Sequence, residues 1–161
     1  MERNDKTELY DTMLSELSAL LDGADDPVTV MASAVAVIHH TLPYASWTGF
    51  YRVVEDGLLR VGPYQGPVGC LEIPFDRGVC GAAAREKQTQ VVEDVHAFPG
   101  HIACDPTSRS EIVVPVYGAD DSLVAVLDVD SRQSAAFDEA DRAGLERVAD
   151  RLRRHFGRRS A

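Results

Sequence analysis

The sequence predicts an α+β domain in which a central antiparallel β-sheet is flanked by N- and C-terminal helices. Two helical patterns precede any strand, two hairpin patterns follow, and the last segment is helical again. Strands joined by tight turns pair antiparallel, and the order lacks the strand–helix alternation of a parallel sheet. A chain of 161 residues, 45% of them hydrophobic, fits one domain over 1–161 with its core at about 25–156.

Helices are predicted where apolar residues recur at three- and four-residue steps. The first covers 9–21 and ends before Gly23. The second begins at Asp26-Pro27, because proline suits the first helical turn, and it ends near His40. Two further helices, one short and rich in alanine and one long, are predicted at Gly78–Glu86 and Asp138–Phe156.

Strands are predicted where β-branched and aromatic residues cluster between turn residues, with Gly57 and Gly118 in the two hairpin turns. The segment 93–109 has neither a helical nor a strand periodicity, so it is predicted as a loop. A loop of that length in a compact domain is usually functional or disordered. Because its sequence is not low-complexity, we expect a functional loop. The predicted strands are Trp47–Val54, Leu58–Tyr64, Leu71–Phe75, Thr89–Val92, Glu111–Val116 and Leu123–Val129.

Charge and hydropathy exclude several classes of function. The net charge of −10 repels nucleic acid and anionic membranes, so neither is expected as a partner. No apolar run approaches the about 20 residues of a membrane span, and the N-terminus is too polar for a signal peptide, which predicts a cytoplasmic protein. Five arginines are interpreted as the solvated end of the final helix: Arg151, Arg153, Arg154, Arg158 and Arg159.

Three carboxylates stand in or beside apolar strands. Asp128 and Asp130 are two residues apart, so on a strand they point to the same face. Such a pair can share a site and raise the pKa of one member; the alternative is that both lie at the wet end of the strand. Glu111 leads into the neighbouring predicted strand, where it either enters the same pocket or lies on the surface.

The three cysteines are core residues, metal ligands or redox groups, because a reducing compartment disfavours structural disulfides. Cys104 lies in the long loop near His101, where an imidazole can favour the thiolate. Cys80 lies at a predicted helix start that can also favour a thiolate, although a buried inert thiol is the commoner case. Cys70 lies in a Gly/Pro loop that can move.

Two further sites are weighed from the residues alone. Zinc on Cys70, Cys80, His101 and Cys104 is disfavoured, because no Cys-x₂-Cys pair is present. Trp47 is either a core residue or the aromatic wall of a small-ligand pocket.

Six stretches of the sequence form a recognisable set together with the spacing of the cysteines, which fall ten and then twenty-four residues apart. The stretches are Trp47-Thr48-Gly49-Phe50-Tyr51, Gly62-Pro63-Tyr64-Gln65-Gly66, Gly78-Val79-Cys80-Gly81, Pro99-Gly100-His101-Ile102-Ala103-Cys104-Asp105, Ser110-Glu111-Ile112-Val113-Val114-Pro115 and Leu127-Asp128-Val129-Asp130. In these stretches and in the cysteine spacing the chain resembles the free methionine-(R)-sulfoxide reductases, a family of single GAF domains. The loop motif and the cysteine spacing are specific together, and the departures from the family, Tyr64 and Ala125, are slight.

The resemblance implies a role for each of these residues. It makes Cys104 the nucleophile, Cys70 the resolving cysteine, and Cys80 a third catalytic-site cysteine of less definite role. It implies a redox disulfide between Cys70 and Cys104, which thioredoxin reopens, with no metal and no organic cofactor. The residues implied to bind the substrate, free L-methionine-(R)-sulfoxide, are Trp47, Tyr51, Glu111, Asp128 and Asp130. The three carboxyls of this set are also implied to be catalytic, because one of them is held protonated and donates to the departing oxygen.

Two alternatives stay open beside the reductase. One is a GAF sensor that binds a small molecule without turnover; the other is a thiol redox sensor whose disulfide is itself the output. GAF domains commonly pair through their terminal helices, so a homodimer is expected.

Overall fold

The structure, a computed structural model, describes residues 1–157, and in that part of the chain six strands form one antiparallel sheet. The order across the sheet is β3-β2-β1-β6-β5-β4, which confirms the predicted α+β class. The strands are β1 Trp47–Glu55, β2 Leu58–Gln65, β3 Glu72–Pro74, β4 Gln90–Val92, β5 Ser110–Tyr117 and β6 Leu123–Ser131.

The two predicted hairpins, β1–β2 and β5–β6, are joined in the middle of the sheet by pairing of β1 with β6. This register places Trp47 opposite Asp130 and Gly49 opposite Asp128. On the other side of β6, Glu111 of β5 is also opposite Asp130. The first residues of β1 and β5 therefore lie beside the last residues of β6.

Three helices cover one face of the sheet. The alternate residues Phe50, Ile112 and Leu127, one from each central strand, point to this face and are fully buried in a core with apolar residues from the helices. Alternation along a strand sends the intervening residues to the opposite face. The helices of this layer are α1 Arg3–Leu20, α2 Pro27–Thr41 and α4 Glu139–Leu152.

The opposite face carries a smaller apolar cluster beneath α3, which covers Gly78–Glu86. Tyr51, Val113 and Val126 come from the central strands, and Cys80 comes from α3. The same face of β5 and β6 carries the carboxylates found in the sequence, so the functional residues lie away from the main core.

The end of the chain differs from the prediction. The last helix ends at Leu152 and a 3₁₀ turn follows at Arg153–His155, so the predicted helix to Phe156 is too long. The Phe156 carbonyl accepts a hydrogen bond from Ala119 N at 2.9 Å, which holds Phe156 in extended backbone. The predicted domain end at 161, with Arg158 and Arg159, lies outside the described residues.

No helix within residues 1–157 is long and apolar enough to cross a membrane.

A buried ion pair ties α1 to the start of α4. Lys6 Nζ bonds the Asp141 carboxylate and lies 3.1 Å from Asp138 Oδ2. The second Asp141 oxygen accepts hydrogen bonds from the hydroxyls of Tyr10, at 3.0 Å, and Tyr44. Because Asp141 is fully buried, its charge depends on these partners.

We expect Asp141→Asn to destabilise the protein by about 3 kcal/mol, because Lys6 loses its buried counter-charge. Urea unfolding at pH 7 measures this, with Asp150→Asn on the exposed side of α4 as the matched control that changes stability by at most about 0.5 kcal/mol. Equal unfolding free energies for the two variants would show that the network adds nothing.

Candidate active site

Three carboxyl groups lie together on the α3 side of the sheet. Asp128 and Asp130 share that face of β6, and the β5–β6 register sets Glu111 opposite Asp130 and Val113 opposite Asp128. Glu111 and Asp128 are only 6% and 5% exposed, so the alternative surface positions are wrong for both. Asp130, near the end of β6, is partly exposed.

Cys80 lies in the first turn of α3, directly over these carboxyls. Its Sγ donates to Asp128 Oδ2 at 3.3 Å and lies 3.9 Å from Glu111 Oε1. Burial raises the pKa of the Cys80 thiol well above its usual value, and the negative charges of Asp128 and Glu111 raise it further. The expectation that the helix start favours a thiolate is therefore wrong. Cys80 is instead the buried thiol of the alternative interpretation.

Burial also raises the pKa of each carboxyl. It raises the pKa of Glu111 well above its usual range, and Asp128 and Asp130 add to the shift. The pKa of Asp128 rises to about 7 through burial, although hydrogen bonds from Cys80 and Glu111 oppose the rise. The pKa of Asp130 is likewise raised by burial and then by Asp128. The cluster therefore retains a proton at neutral pH.

A disulfide joins Cys70, which follows β2, to Cys104 in the long loop, with a Cα–Cα distance of 5.2 Å. Cys104 lines the same cavity as Glu111 and Asp128. The zinc site formed by all three cysteines and His101 is contradicted in this state, because two of its sulfurs are bonded to each other.

The loop between β4 and β5 is held over the cavity by backbone hydrogen bonds. Gly78 N donates to the Gly100 carbonyl at 3.0 Å, and Arg109 N donates to the Ser131 carbonyl at 2.7 Å. A short 3₁₀ turn at Val95–Ala97 interrupts what the sequence predicts as continuous loop. These contacts anchor the loop at the start of α3 and at the end of β6.

His101 lines the cavity but does not supply a positive charge to it. Burial lowers the pKa of His101, and the His96 ring, 6.2 Å away between centroids, lowers it further. The imidazole is therefore neutral at pH 7, so the expected help to the Cys104 thiolate from a charged imidazole is not provided.

Trp47 is buried in the apolar cluster beneath α3, which confirms the interpretation as a core residue. It also lines the cavity, and its role as the aromatic wall for a small ligand stays a prediction. Its ring stacks on Tyr51 and on Tyr64 at centroid distances of 5.7 and 5.2 Å, and its Nε1 donates to the Pro67 carbonyl at 3.0 Å. A Cβ at Gly49 would lie 2.5 Å from the Trp47 ring, so glycine is needed beneath it. The ring is thereby fixed beside Asp130.

The cavity has further lining residues that sequence reasoning did not select. Ile73 comes from β3, Val79 from α3, and Asp105 and Ser108 from the long loop. Ser108 is 3% exposed although it lies in a loop, and local sequence carries no signal of such burial. Ile73 carries a weak signal, since it is the central residue of a short predicted strand.

The thiol and two carboxyls of the cluster are also potential cation ligands. The ligand atoms of Cys80, Glu111 and Asp128 all lie within 4.8 Å of one another. The site therefore offers two kinds of chemistry: a retained proton beside a disulfide sulfur, or a thiolate–carboxylate ligand set.

The chain is similar to known proteins over nearly its whole length. The profile of the GAF domain matches residues 5–155. The free methionine-R-sulfoxide reductase of Escherichia coli is 40% identical over 147 residues, covering 91% of this chain and 88% of that protein.

Two solved structures have the same fold. The X-ray structure of free methionine-R-sulfoxide reductase from Neisseria meningitidis in complex with its substrate matches with a TM-score of 0.89 and 41% identity, covering 94% of this chain and 90% of that one. The structure of a GAF sensor protein from Burkholderia vietnamiensis matches with a TM-score of 0.88 and 46% identity, covering 93% and 94%. The chain therefore belongs to the GAF domain family and, within it, to the family of the free methionine-R-sulfoxide reductases.

Proposed function

We propose that this protein is an oxidoreductase that reduces free L-methionine-(R)-sulfoxide to L-methionine. One observation carries the proposal: a disulfide cysteine, Cys104, lines the same small cavity as three carboxyl groups whose pKa values are raised. Sulfoxide reduction by a thiol needs both a sulfur nucleophile and a proton donor for the departing oxygen. The names of the relatives support the same substrate.

The first step starts from reduced cysteines. The Cys104 thiolate attacks the sulfoxide sulfur while a carboxylic acid of the cluster donates a proton to the sulfoxide oxygen. The oxygen is then transferred to the Cys104 sulfur: the substrate S–O bond and the transient S–S bond break, a Cys104 S–O bond forms, and methionine leaves with Cys104 as a sulfenic acid. The substrate sulfur gains two electrons and Cys104 loses them.

The second step forms the disulfide. The Cys70 thiol attacks the Cys104 sulfur, the sulfenic oxygen leaves as water, and the two sulfurs are bonded. An external dithiol reopens this bond by exchange, and we propose thioredoxin in the cytoplasm as that partner. The mechanism uses no metal and no organic cofactor.

Recognition of the free amino acid follows from charge and enclosure. The carboxyls that lose their protons bind the substrate ammonium group, and Asp130, which is partly exposed, lies beside Trp47. The aromatic wall of Trp47 and Tyr51 packs against the apolar part of the substrate. The loop over 93–109 covers the cavity, so a substrate embedded in a peptide chain has no room.

A thiol redox sensor is the second candidate, because the disulfide by itself favours it. Such a sensor needs Cys70 and Cys104 but not three clustered carboxyls with raised pKa values. Burying these groups costs free energy that a sensor does not require, so the carboxyl cluster favours the reductase.

Turnover is expected only with the free R diastereomer. NADPH consumption coupled to thioredoxin and its reductase should follow free methionine-(R)-sulfoxide, but not the S diastereomer or a peptide-bound sulfoxide. Cys104→Ser should abolish turnover, because no thiolate is left to attack. No turnover of any sulfoxide by fully reduced wild-type protein would exclude the reductase.

Glu111→Gln is expected to lower kcat by about 100-fold or more, because a buried proton donor is removed while its shape is kept. Glu55→Gln, exposed at the end of β1, is the matched control. Peroxide should still form the Cys70–Cys104 disulfide in Glu111→Gln, which separates a lost acid from a damaged thiol pair. Unchanged turnover would remove Glu111 from the mechanism.

Asp128→Asn should become more stable relative to wild type as pH rises. A carboxyl whose pKa rises on folding from about 4 to about 7 stabilises the folded state fully below pH 4, and this contribution is lost as pH rises through 7. Asparagine does not titrate, so the difference in unfolding free energy should move in its favour by about 4 kcal/mol between pH 4 and 8. Urea unfolding measures this, with Asp56→Asn on the exposed turn as control; parallel pH profiles would contradict the retained proton.

A further inference from the structure

Cys80, Glu111 and Asp128 are spaced as ligands of one small cation. Their closest approaches are 3.3 Å from Cys80 Sγ to Asp128 Oδ2 and 3.9 Å from Sγ to Glu111 Oε1. In a tetrahedral zinc site with bonds of about 2.3 Å to sulfur and about 2.0 Å to oxygen, sulfur and oxygen ligands lie about 3.5 Å apart. Both sulfur–oxygen distances lie within a few tenths of an ångström of this value, and the ligand atoms of the three residues all lie within 4.8 Å of one another.

A second observation points to a missing ligand. Asp128 is 5% exposed and its Oδ1 atom has no hydrogen-bond partner, although Asp128 lines the cavity. An unpartnered buried carboxylate oxygen costs free energy, and a cation supplies the partner that the protein does not.

Charge favours a divalent cation at the same place. Glu111 and Asp128 repel each other and both oppose ionisation of Cys80. A dication bound among the three ionised groups neutralises two of their charges, so it removes the repulsion that keeps protons in the cluster. Metal binding would displace those protons.

We propose that the cavity binds a divalent cation of the zinc class through Cys80 Sγ, Glu111 and Asp128, with the fourth position open to the cavity. The thiolate ligand selects Zn²⁺ or Cd²⁺ over Mg²⁺ and Ca²⁺, which prefer oxygen ligands and higher coordination numbers. This ligand set differs from the one weighed from the sequence, because it needs neither disulfide sulfur.

A bound cation also excludes the amino-acid ligand. It consumes the carboxylates that attract an ammonium group and leaves no proton for the sulfoxide oxygen, so Zn²⁺ inhibits turnover. This regulatory consequence rests on the proposed reductase function, whereas cation binding itself does not.

The test uses the oxidised protein of 161 residues. The chain has three cysteines, so with the Cys70–Cys104 disulfide intact Cys80 is the single free thiol. Titration with Cd²⁺, followed by the ultraviolet charge-transfer band of cadmium thiolate, should saturate at one ion per chain. Excess Mg²⁺ should not reduce the band, and Zn²⁺ should displace Cd²⁺.

Variants distinguish a cation bound by all three residues from a cation bound by the Cys80 thiol alone. Cys80→Ser should abolish the band, and Asp128→Asn and Glu111→Gln should each weaken binding by more than the about tenfold that loss of an outer-shell partner costs. Asp56→Asn is the exposed control and should bind as wild type. No band in the wild type, or equal affinities in both carboxyl variants and the control, would overturn the proposal.

Competition between the amino acid and Cd²⁺ tests whether their binding sites overlap, and it does not require turnover. Free methionine or its R-sulfoxide should lower the cadmium band of the oxidised protein; a band unaffected at saturating amino acid would refute exclusion of the ligand. A saturable band in a protein that reduces no sulfoxide would support the cation site and contradict only the proposed function. Sulfoxide turnover without a cadmium band would support the proposed function and contradict the cation site.

Discussion

Three carboxyl groups and a thiol share one buried patch, and the repulsion among them governs the properties of the site. Glu111 and Asp128 have almost no contact with solvent, and Cys80 donates to one of them and lies near the other. Ionising all of these groups in a low-dielectric setting is unfavourable, so protons stay bound. The same repulsion underlies both proposals made for the site, acid catalysis and the binding of a dication.

Buried carboxyl groups have different partners on the two faces of the sheet. On the helical face, Asp141 is fully buried but has Lys6 as counter-ion and two tyrosine hydroxyls as donors. On the other face, Glu111 and Asp128 lack a cation among the described residues that line the cavity with them. The first arrangement connects helices. The second costs free energy of folding because ionisable groups are buried without a counter-ion, which is common at functional sites.

Local periodicity predicted most elements of the fold but only part of the arrangement of the site residues. The two-residue spacing of Asp128 and Asp130 correctly put them on one face, and the neighbouring strand brought Glu111 to them. Pairing of β1 with β6, which sets Trp47 beside Asp130, joins segments far apart in the chain and has no local signal. The contact of Cys80 with Asp128 spans 48 residues and depends on how α3 packs, so sequence suggested only a choice between an activated and a buried thiol.

The roles proposed for the three cysteines are consistent with where the negative charge lies. A thiol must ionise before it attacks a sulfoxide, and Cys80 faces both burial and two carboxyls that oppose ionisation. Cys70 and Cys104 lie on loops and are only partly buried, and they are close enough to bond to each other. The nucleophile is therefore expected on the loop, at the border of the acidic patch, where the carboxyls can donate a proton without suppressing the thiolate.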